Sequence, residues 1–294
     1  MHLSDIRASF DTGHFGASLD DEAITIWKSD SPLPIASVKP GFSGGEDLHI
    51  IDPVNQRVYA GIWEDGITCF DYAENRVIWH RADLIGIQKI ALSGSFPHSV
   101  FLTLEGPGED RWDEPGMVSG VAELSAHDGS TKWQTEPGDR LHLHPSDSLM
   151  LVQDCDDVVR ILNGAKREVG SAVVVHSSLI DVAFGGDLIA LAEGEEGVRI
   201  LDRRGHLISS YIPRGRESNC IQVAFDEDRV VVLDSWERSF VSIVDPHSGR
   251  LTAEYERESH DAICFLDHGS RYVDSSGRIF RSSDGMHLTT LCPP

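Results

Sequence analysis

From Asp47 to His80 the chain reads DLHIIDPVNQRVYAGIWEDGITCFDYAENRVIWH, in which four short β-type runs are separated by turn residues. The runs LHII, RVYAGIW, GITCFD and RVIW alternate apolar with polar or small residues, and Asp-Pro-Val-Asn, Glu-Asp-Gly and Tyr-Ala-Glu-Asn break them. Four strands with tight turns make one antiparallel meander, lettered a to d. The order returns as QVAF, RVVVLD, SFVSIVD and RLTAEYE from Gln222 to Glu256, and as LIDVAF, LIALAE, GVRILD and HLISSYI from Leu179 to Ile212. Looser copies fill the rest, among them RLHLH, LMLVQD, DVVRIL and KREV. Strand c begins near Ala23, Gly66, Val118, Asp157, Gly197, Ser239 and Gly277, at spacings of 43, 52, 39, 40, 42 and 38 residues. A lone meander cannot bury its apolar faces, and repetition at this period is that of a propeller blade. The pattern predicts an all-β chain: a seven-bladed β-propeller of four-stranded antiparallel blades, forming a single domain over residues 1–294. The blades are expected at about 4–40, 46–82, 86–136, 139–172, 178–213, 219–257 and 260–292. Whether Asp5 to Phe10 joins the first blade or closes the ring on the last is open at this stage.

The pattern VYAG-x-x-x-x-G-I-x-x-F-D-x-x-x-x-x-V-I-W from Val58 to Trp79, echoed by LSAHDGSTKW from Leu124 to Trp133, resembles the quinoprotein-type (PQQ) and WD-like propeller repeat. The resemblance implies a fold in which a strand-c Asp, the c–d turn and a strand-d Trp pack between blades. It implies no activity.

Composition sets limits on partners and compartment. The amino terminus, MHLSDIRASF, lacks a basic segment followed by an apolar one, and no run approaches the roughly eighteen apolar residues of a spanning helix. A soluble, cytoplasmic protein is expected. Cys69, Cys155, Cys220, Cys264 and Cys292 stand far apart without a CxxC pair, and read as free thiols in a reducing compartment. With 48 acidic against 25 basic side chains the net charge is −23, which repels nucleic acid and anionic membranes. A basic protein, or a metal ion, is the better partner.

In a propeller the b–c and d–a loops share one face. The b–c junctions carry Asp20 to Glu22, Glu64 with Asp65, Asp154 with Asp156 and Asp157, Glu193 with Glu195 and Glu196, Asp234 with Glu237, and Asp274. The third repeat is lengthened by EGPGEDRWDEPGMV, which adds Glu109, Asp110, Asp113 and Glu114 around Trp112. The c–d and a–b turns carry mixed or little charge. The sequence thus predicts an acidic rim on one face, with Trp63, Trp112 and Trp236 in or beside it as anchors.

Catalytic patterns are sparse. No GxxxxGK[ST], GxGxxG or HExxH occurs. The GxSxG match at Gly41 to Gly45 is expected in a d–a loop, away from the strand-to-helix turn a nucleophile elbow needs. His142 and His144 lie two apart on one strand, a spacing that permits two ligands to a metal, but a structural role fits better because no further ligand can be placed. The Asp154, Asp156 and Asp157 group lacks calcium-loop spacing, and the adjacent Ser259, His260 and Asp261 cannot form a triad. No cofactor and no metal are expected. The reading that follows is a non-catalytic binding propeller whose acidic face captures a basic protein, in its most concrete form an immunity-type inhibitor of a cationic, nuclease-like bacterial toxin. The alternatives are a metal-dependent propeller enzyme of lactonase or lyase type, and a generic assembly scaffold.

Overall fold

The structure, a computed structural model, describes residues 4–9, 13–19, 23–39, 48–62, 65–104, 120–135, 139–154, 156–175, 179–213, 219–235, 238–257 and 263–292. Seven four-stranded antiparallel sheets follow one another along the chain, the blade pattern of a seven-bladed β-propeller. The sheets span 4–38, 48–81, 87–134, 140–174, 181–211, 220–257 and 263–290, each a meander in chain order. The described residues include no α-helix, and a single 3-10 turn at Asp267–Gly269.

The chain divides into two compact units, residues 1–148 with 275–277 and 290–294, and residues 149–274 with 278–289. The division falls within the fourth sheet, between its strands a (Arg140–Leu143) and b (Met150–Gln153).

Within the first unit, Ser4–Ala8 pairs with His14–Leu19 and so supplies strand a of the first blade. The last residues fasten to that blade through the backbone, Cys292 N–H donating to the Pro32 carbonyl at 2.7 Å. Blades 2 and 3 share a core of Tyr59, Ile67, Cys69, Trp79, Val100, Leu102 and Leu124. Their junction is latched at the c–d turn of blade 3. Trp79, on strand d of blade 2 (Arg76–Arg81), donates its indole N–H to the Ala126 carbonyl at 3.0 Å. Arg81 Nη1 donates to the Gly129 carbonyl at 2.6 Å, and Arg57 Nη1 reaches Ala126 as well. This is the packing of a strand-d Trp on the next c–d turn that the repeat implied.

Trp27 is fully buried, stacked on Phe15 with centroids 5.6 Å apart, but its indole N–H meets no acceptor among the described residues. The two tryptophans therefore respond differently to the same change. Trp79→Phe removes volume and a made hydrogen bond, whereas Trp27→Phe removes volume together with an unmet buried donor, which alone costs ~1–3 kcal/mol. Trp79→Phe is expected to be the more destabilising by about 2 kcal/mol in denaturant unfolding. Equal losses would remove the latch from the account.

In the second unit the same device recurs. Ser209 donates to the Pro246 carbonyl at 2.5 Å and Tyr255 to the Ser282 carbonyl at 2.9 Å, each from strand d to the next blade's c–d turn. Aspartates close several of these turns. Asp245 Oδ1 accepts the N–H groups of His247 and Ser248 at 2.8 and 2.9 Å, and these donors hold its carboxyl below the usual carboxylate range. Successive sheets share cores here too, as Leu151, Ile161, Val173, Ile189 and Leu201 do between blades 4 and 5.

At the start of strand c the chain turns through a left-handed residue lying close under strand d. Gly197 has φ +88°, and a Cβ there would sit 2.3 Å from the Tyr211 carbonyl oxygen, so only glycine fits. Gly66 meets Arg81 in the same way, at 2.0 Å.

One expected strand is misplaced. KREV was to form strand d of blade 4, but the strand there is Val173–Val174, paired with Val159 and Val158. A backbone bond from Val169 N–H to the Ile161 carbonyl and a bridge between Leu162 and Glu168 precede it. The backbone bulges between the two stretches, where Ser171 N–H donates to the Arg204 carbonyl of blade 5 at 2.8 Å.

Candidate functional site at the b–c turns

Of the acidic residues expected on the rim, Asp65 is exposed at the b–c turn of blade 2, in the first unit. Trp63, Glu64, Glu109, Asp110, Trp112, Asp113, Glu114, Trp236 and Glu237 lie outside the described residues. Asp20 to Glu22 lie outside them too, and Asp154, Asp156, Asp157, Glu193, Glu195 and Glu196 gather in the second unit, on the b–c turns of blades 4 and 5.

The blade 4 turn is built around Asp154. Its Oδ1 accepts the N–H groups of Asp156 and Val158, both at 3.0 Å, and its own N–H donates to the Val158 carbonyl. Asp154 is therefore half-buried and occupied, with Oδ2 also 3.9 Å from Arg160 Nη2. The turn leaves Asp156 and Asp157 exposed. Asp157 takes φ +58° and accepts from Gln153 Nε2 at 2.9 Å. Its carbonyl receives the Val175 N–H, which ties the turn to the end of strand d.

The blade 5 turn separates its acids into two tiers. Glu193 is buried, 1% exposed, and Arg199 on strand c (Val198–Asp202) grips it with two hydrogen bonds, Nε to Oε2 at 2.6 Å and Nη2 to Oε1 at 2.5 Å. A carboxylate expected on the open rim is thus an inward structural anion, because strand b points it beneath the turn towards the strand-c arginine. Glu195 and Glu196, at the tip, are exposed. Arg199 Nη2 also donates to the Val174 carbonyl of blade 4 at 2.8 Å, and Cys220 N–H of blade 6 bonds the Gly194 carbonyl at 3.0 Å. The two turns are held as neighbours on rigid ground.

The same inward pairing appears at blade 7, where Asp274 is buried and Arg278 Nη2 lies 2.8 Å from its Oδ2. Asp234 of blade 6 is buried as well. Asp234 and Asp274, expected on the rim, are therefore not exposed there. Arg199, Arg160 and Arg278, absent from the sequence-derived set, share a signal: each follows an acid at the end of strand b by four to six residues.

Among the described residues no ion pair reaches Asp156, Asp157, Glu195 or Glu196. The outer tier thus presents four carboxylates over an inner tier already neutralised by arginine. Such an arrangement repels anions and favours a cationic counterpart, whose approach relieves the self-repulsion.

The other sequence candidates are engaged differently. His142 Nδ1 lies 3.2 Å from Lys89 Nζ, and burial, then Lys89 and Arg140, push its pKa well below the ordinary value. The ring is neutral and accepts from the ammonium. His144 Nδ1 accepts the N–H groups of Ser146 and Asp147 at 3.2 and 2.9 Å, shaping the turn after strand a of blade 4. No group of three or more metal-ligating side chains is assembled among the described residues. Ser43, Ser259, His260 and Asp261 lie outside them.

Cys69, Cys220, Cys264 and Cys292 are free thiols, and Cys155 lies outside the described residues. Cys292 is exposed, whereas burial pushes the Cys69 thiol up to about 12. In the native protein Cys292 is expected to react at once with a thiol reagent while Cys69, Cys220 and Cys264 lag, and denaturation without reductant should release all five. A mass showing two disulfides would overturn this. No helix among the described residues is long and apolar enough to cross a membrane.

No protein-family model matches the chain, and no curated protein matches it. Among solved structures it is similar to the computationally designed Ika8 protein, with a TM-score of 0.66 and 14% identity over 98% of this chain and 87% of that one. At this identity the likeness is one of fold alone.

Proposed function

We propose that this chain is a non-catalytic binding propeller whose acidic b–c turns capture a basic protein surface. The observation that carries the reading is the two-tier arrangement at blades 4 and 5. Glu193 beneath the turn is neutralised by Arg199, while Asp156, Asp157, Glu195 and Glu196 above it face solvent without a cation among the described residues. Clustered like charges destabilise a compact state, and a complementary partner offsets that cost. The net charge of −23 extends the same preference to long range, where it steers cationic molecules and repels nucleic acid.

The concrete form is an immunity-type inhibitor that occupies the positive cleft of a nuclease-like toxin in the bacterial cytoplasm. A nuclease grips a polyanion, so an acidic plug competes with substrate for the same field. The Trp79 latch on the blade 3 turn supports grouping the repeats with the WD-like and quinoprotein-type pattern.

The test is binding and inhibition against a panel of cationic bacterial nucleases, with a non-nuclease protein of equal positive charge as control. Tight, saturable binding that blocks DNA cleavage by one nuclease, and not by others, is the expected result. Equal weak binding to every cation, abolished by moderate salt, would overturn the specific reading.

A further inference from the structure

The c–d turns of blades 4 and 5, both in the second unit, are built alike, bond for bond. In blade 5 Asp202 Oδ1 accepts the N–H groups of Arg204 and His206 at 2.8 and 2.9 Å, and Gly205 N–H donates to the Asp202 carbonyl at 3.0 Å. In blade 4 Asn163 stands in that place. Its Oδ1 accepts the N–H groups of Ala165 and Arg167 at 3.0 and 3.2 Å, and Lys166 N–H donates to its carbonyl at 2.8 Å. Asp71 and Asp245 cap the corresponding turns of blades 2 and 6. Asparagine is thus the departure, although it accepts the same donors that a carboxylate accepts.

The glycine of this turn is displaced as well. Blade 5 has Gly205 at the left-handed position, φ +82°, where a missing Cβ relieves the backbone. Blade 4 puts Lys166 there at φ +60° and sets its glycine two residues earlier, at Gly164, where blade 5 carries Arg203 and φ is not positive. The turn has no conformational need of glycine at 164. Of the four asparagines in the chain, Asn55, Asn75, Asn163 and Asn219, only Asn163 is followed by glycine. What glycine adds there is access, because no Cβ shields its backbone nitrogen from the preceding side chain. Among the described residues neither the Gly164 N–H nor Asn163 Nδ2 makes a hydrogen bond, and both residues are half-buried.

We propose that Asn163–Gly164 is a site of spontaneous covalent modification, at which the c–d turn of blade 4 deamidates itself. The Gly164 nitrogen loses its proton to water and bonds to Asn163 Cγ, the Cγ–Nδ2 bond breaks, and ammonia leaves with a proton taken from water. The resulting five-membered succinimide takes up one water at either carbonyl, giving aspartate or its isoaspartyl isomer. Negative charge develops on Oδ1 during the attack, and the two N–H groups already bonded there stabilise it as the donors of an oxyanion hole do. The aspartate product keeps both bonds and reproduces the turn of blade 5. The isoaspartyl product lengthens the main chain by one methylene and carries its carboxylate off these donors, which loosens the turn. The site lies outside the acidic b–c turns and needs no partner, so it stands or falls apart from the binding assignment.

The full chain is incubated at neutral and at mildly alkaline pH and followed by peptide mapping with isoaspartate detection, beside a synthetic peptide covering residues 160–168. Conversion is expected at Asn163 and not at Asn55, Asn75 or Asn219, and faster at the higher pH. It should run about tenfold faster in the folded chain than in the peptide, short of what one oxyanion donor supplies in an enzyme. Gly164→Ala, at a position that holds Arg203 in blade 5, should slow it by about tenfold or more at unchanged Tm. Asn163→Asp should match the parent Tm, while the isoaspartyl fraction, separated by chromatography, melts lower. A folded rate no faster than the peptide's, an equal rate at the other asparagines, or an unaltered rate in folded Gly164→Ala would each overturn the proposal.

Discussion

Replacing Asp156, Glu195 and Glu196 together by Lys is expected to slow capture of the proposed basic partner by roughly 10–10³-fold while leaving dissociation within a few-fold. The triple change moves the net charge from −23 to −17, two units per site, and inverts the local field where the charges are closest to a partner. Exposed charges at an interface act on encounter more than on residence, so the association rate should move most and its salt dependence should flatten. All three side chains are exposed and none is in an ion pair among the described residues, so stability should change by less than about 0.5 kcal/mol per site. The measurement is stopped-flow association at two salt concentrations, with Tm as the fold control. An association rate indistinguishable from the parent chain would place the binding surface elsewhere.

That the turns exist was legible in the sequence, because period-two alternation between turn residues at a forty-residue spacing has few solutions other than stacked meanders. Strands such as Gly66–Asp71 and Ser239–Val244 start where the pattern put them. Strand d of blade 4 did not, because the bond between Ser171 and Arg204 comes from the neighbouring blade and leaves no local mark. The direction of each carboxylate was less legible still. Glu193 and Glu195 are two residues apart in one acidic run, yet one is buried on arginine and the other exposed. Alternation would give them the same side on a continuing strand, but the chain turns between them through Gly194 at φ +58°.

Arg199→Ala is expected to be among the most damaging single changes in the second unit, costing about 3–5 kcal/mol. The guanidinium makes two bonds to a carboxylate that is 1% exposed and a third to the Val174 carbonyl of the adjacent blade. Removing it leaves a buried carboxylate without this cation, while the Val174 carbonyl, on an exposed residue, can turn to water instead. In a protein of this size the loss corresponds to a Tm lowered by roughly 6–15 °C. The penalty belongs to the orphaned charge rather than to the worth of the pair, since two buried ions repay their desolvation only in part. The companion variants separate these ideas. Arg199→Ala combined with Glu193→Gln should recover a large part of the loss, and Arg199→Met with Glu193→Leu should lie near the parent chain, as apolar replacement of a buried pair does. Guanidinium unfolding of the four proteins measures these differences. A single variant within about 1 kcal/mol of the parent, or a double variant worse than the single, would show that Glu193 is hydrated and that the inner tier does not carry the turn. The same substitution bears on function, because Arg199 is what joins the blade 5 turn to blade 4. With it gone, Glu195 and Glu196 keep their charge but lose their fixed ground, so long-range steering of a basic protein should survive while the complex, once formed, dissociates faster.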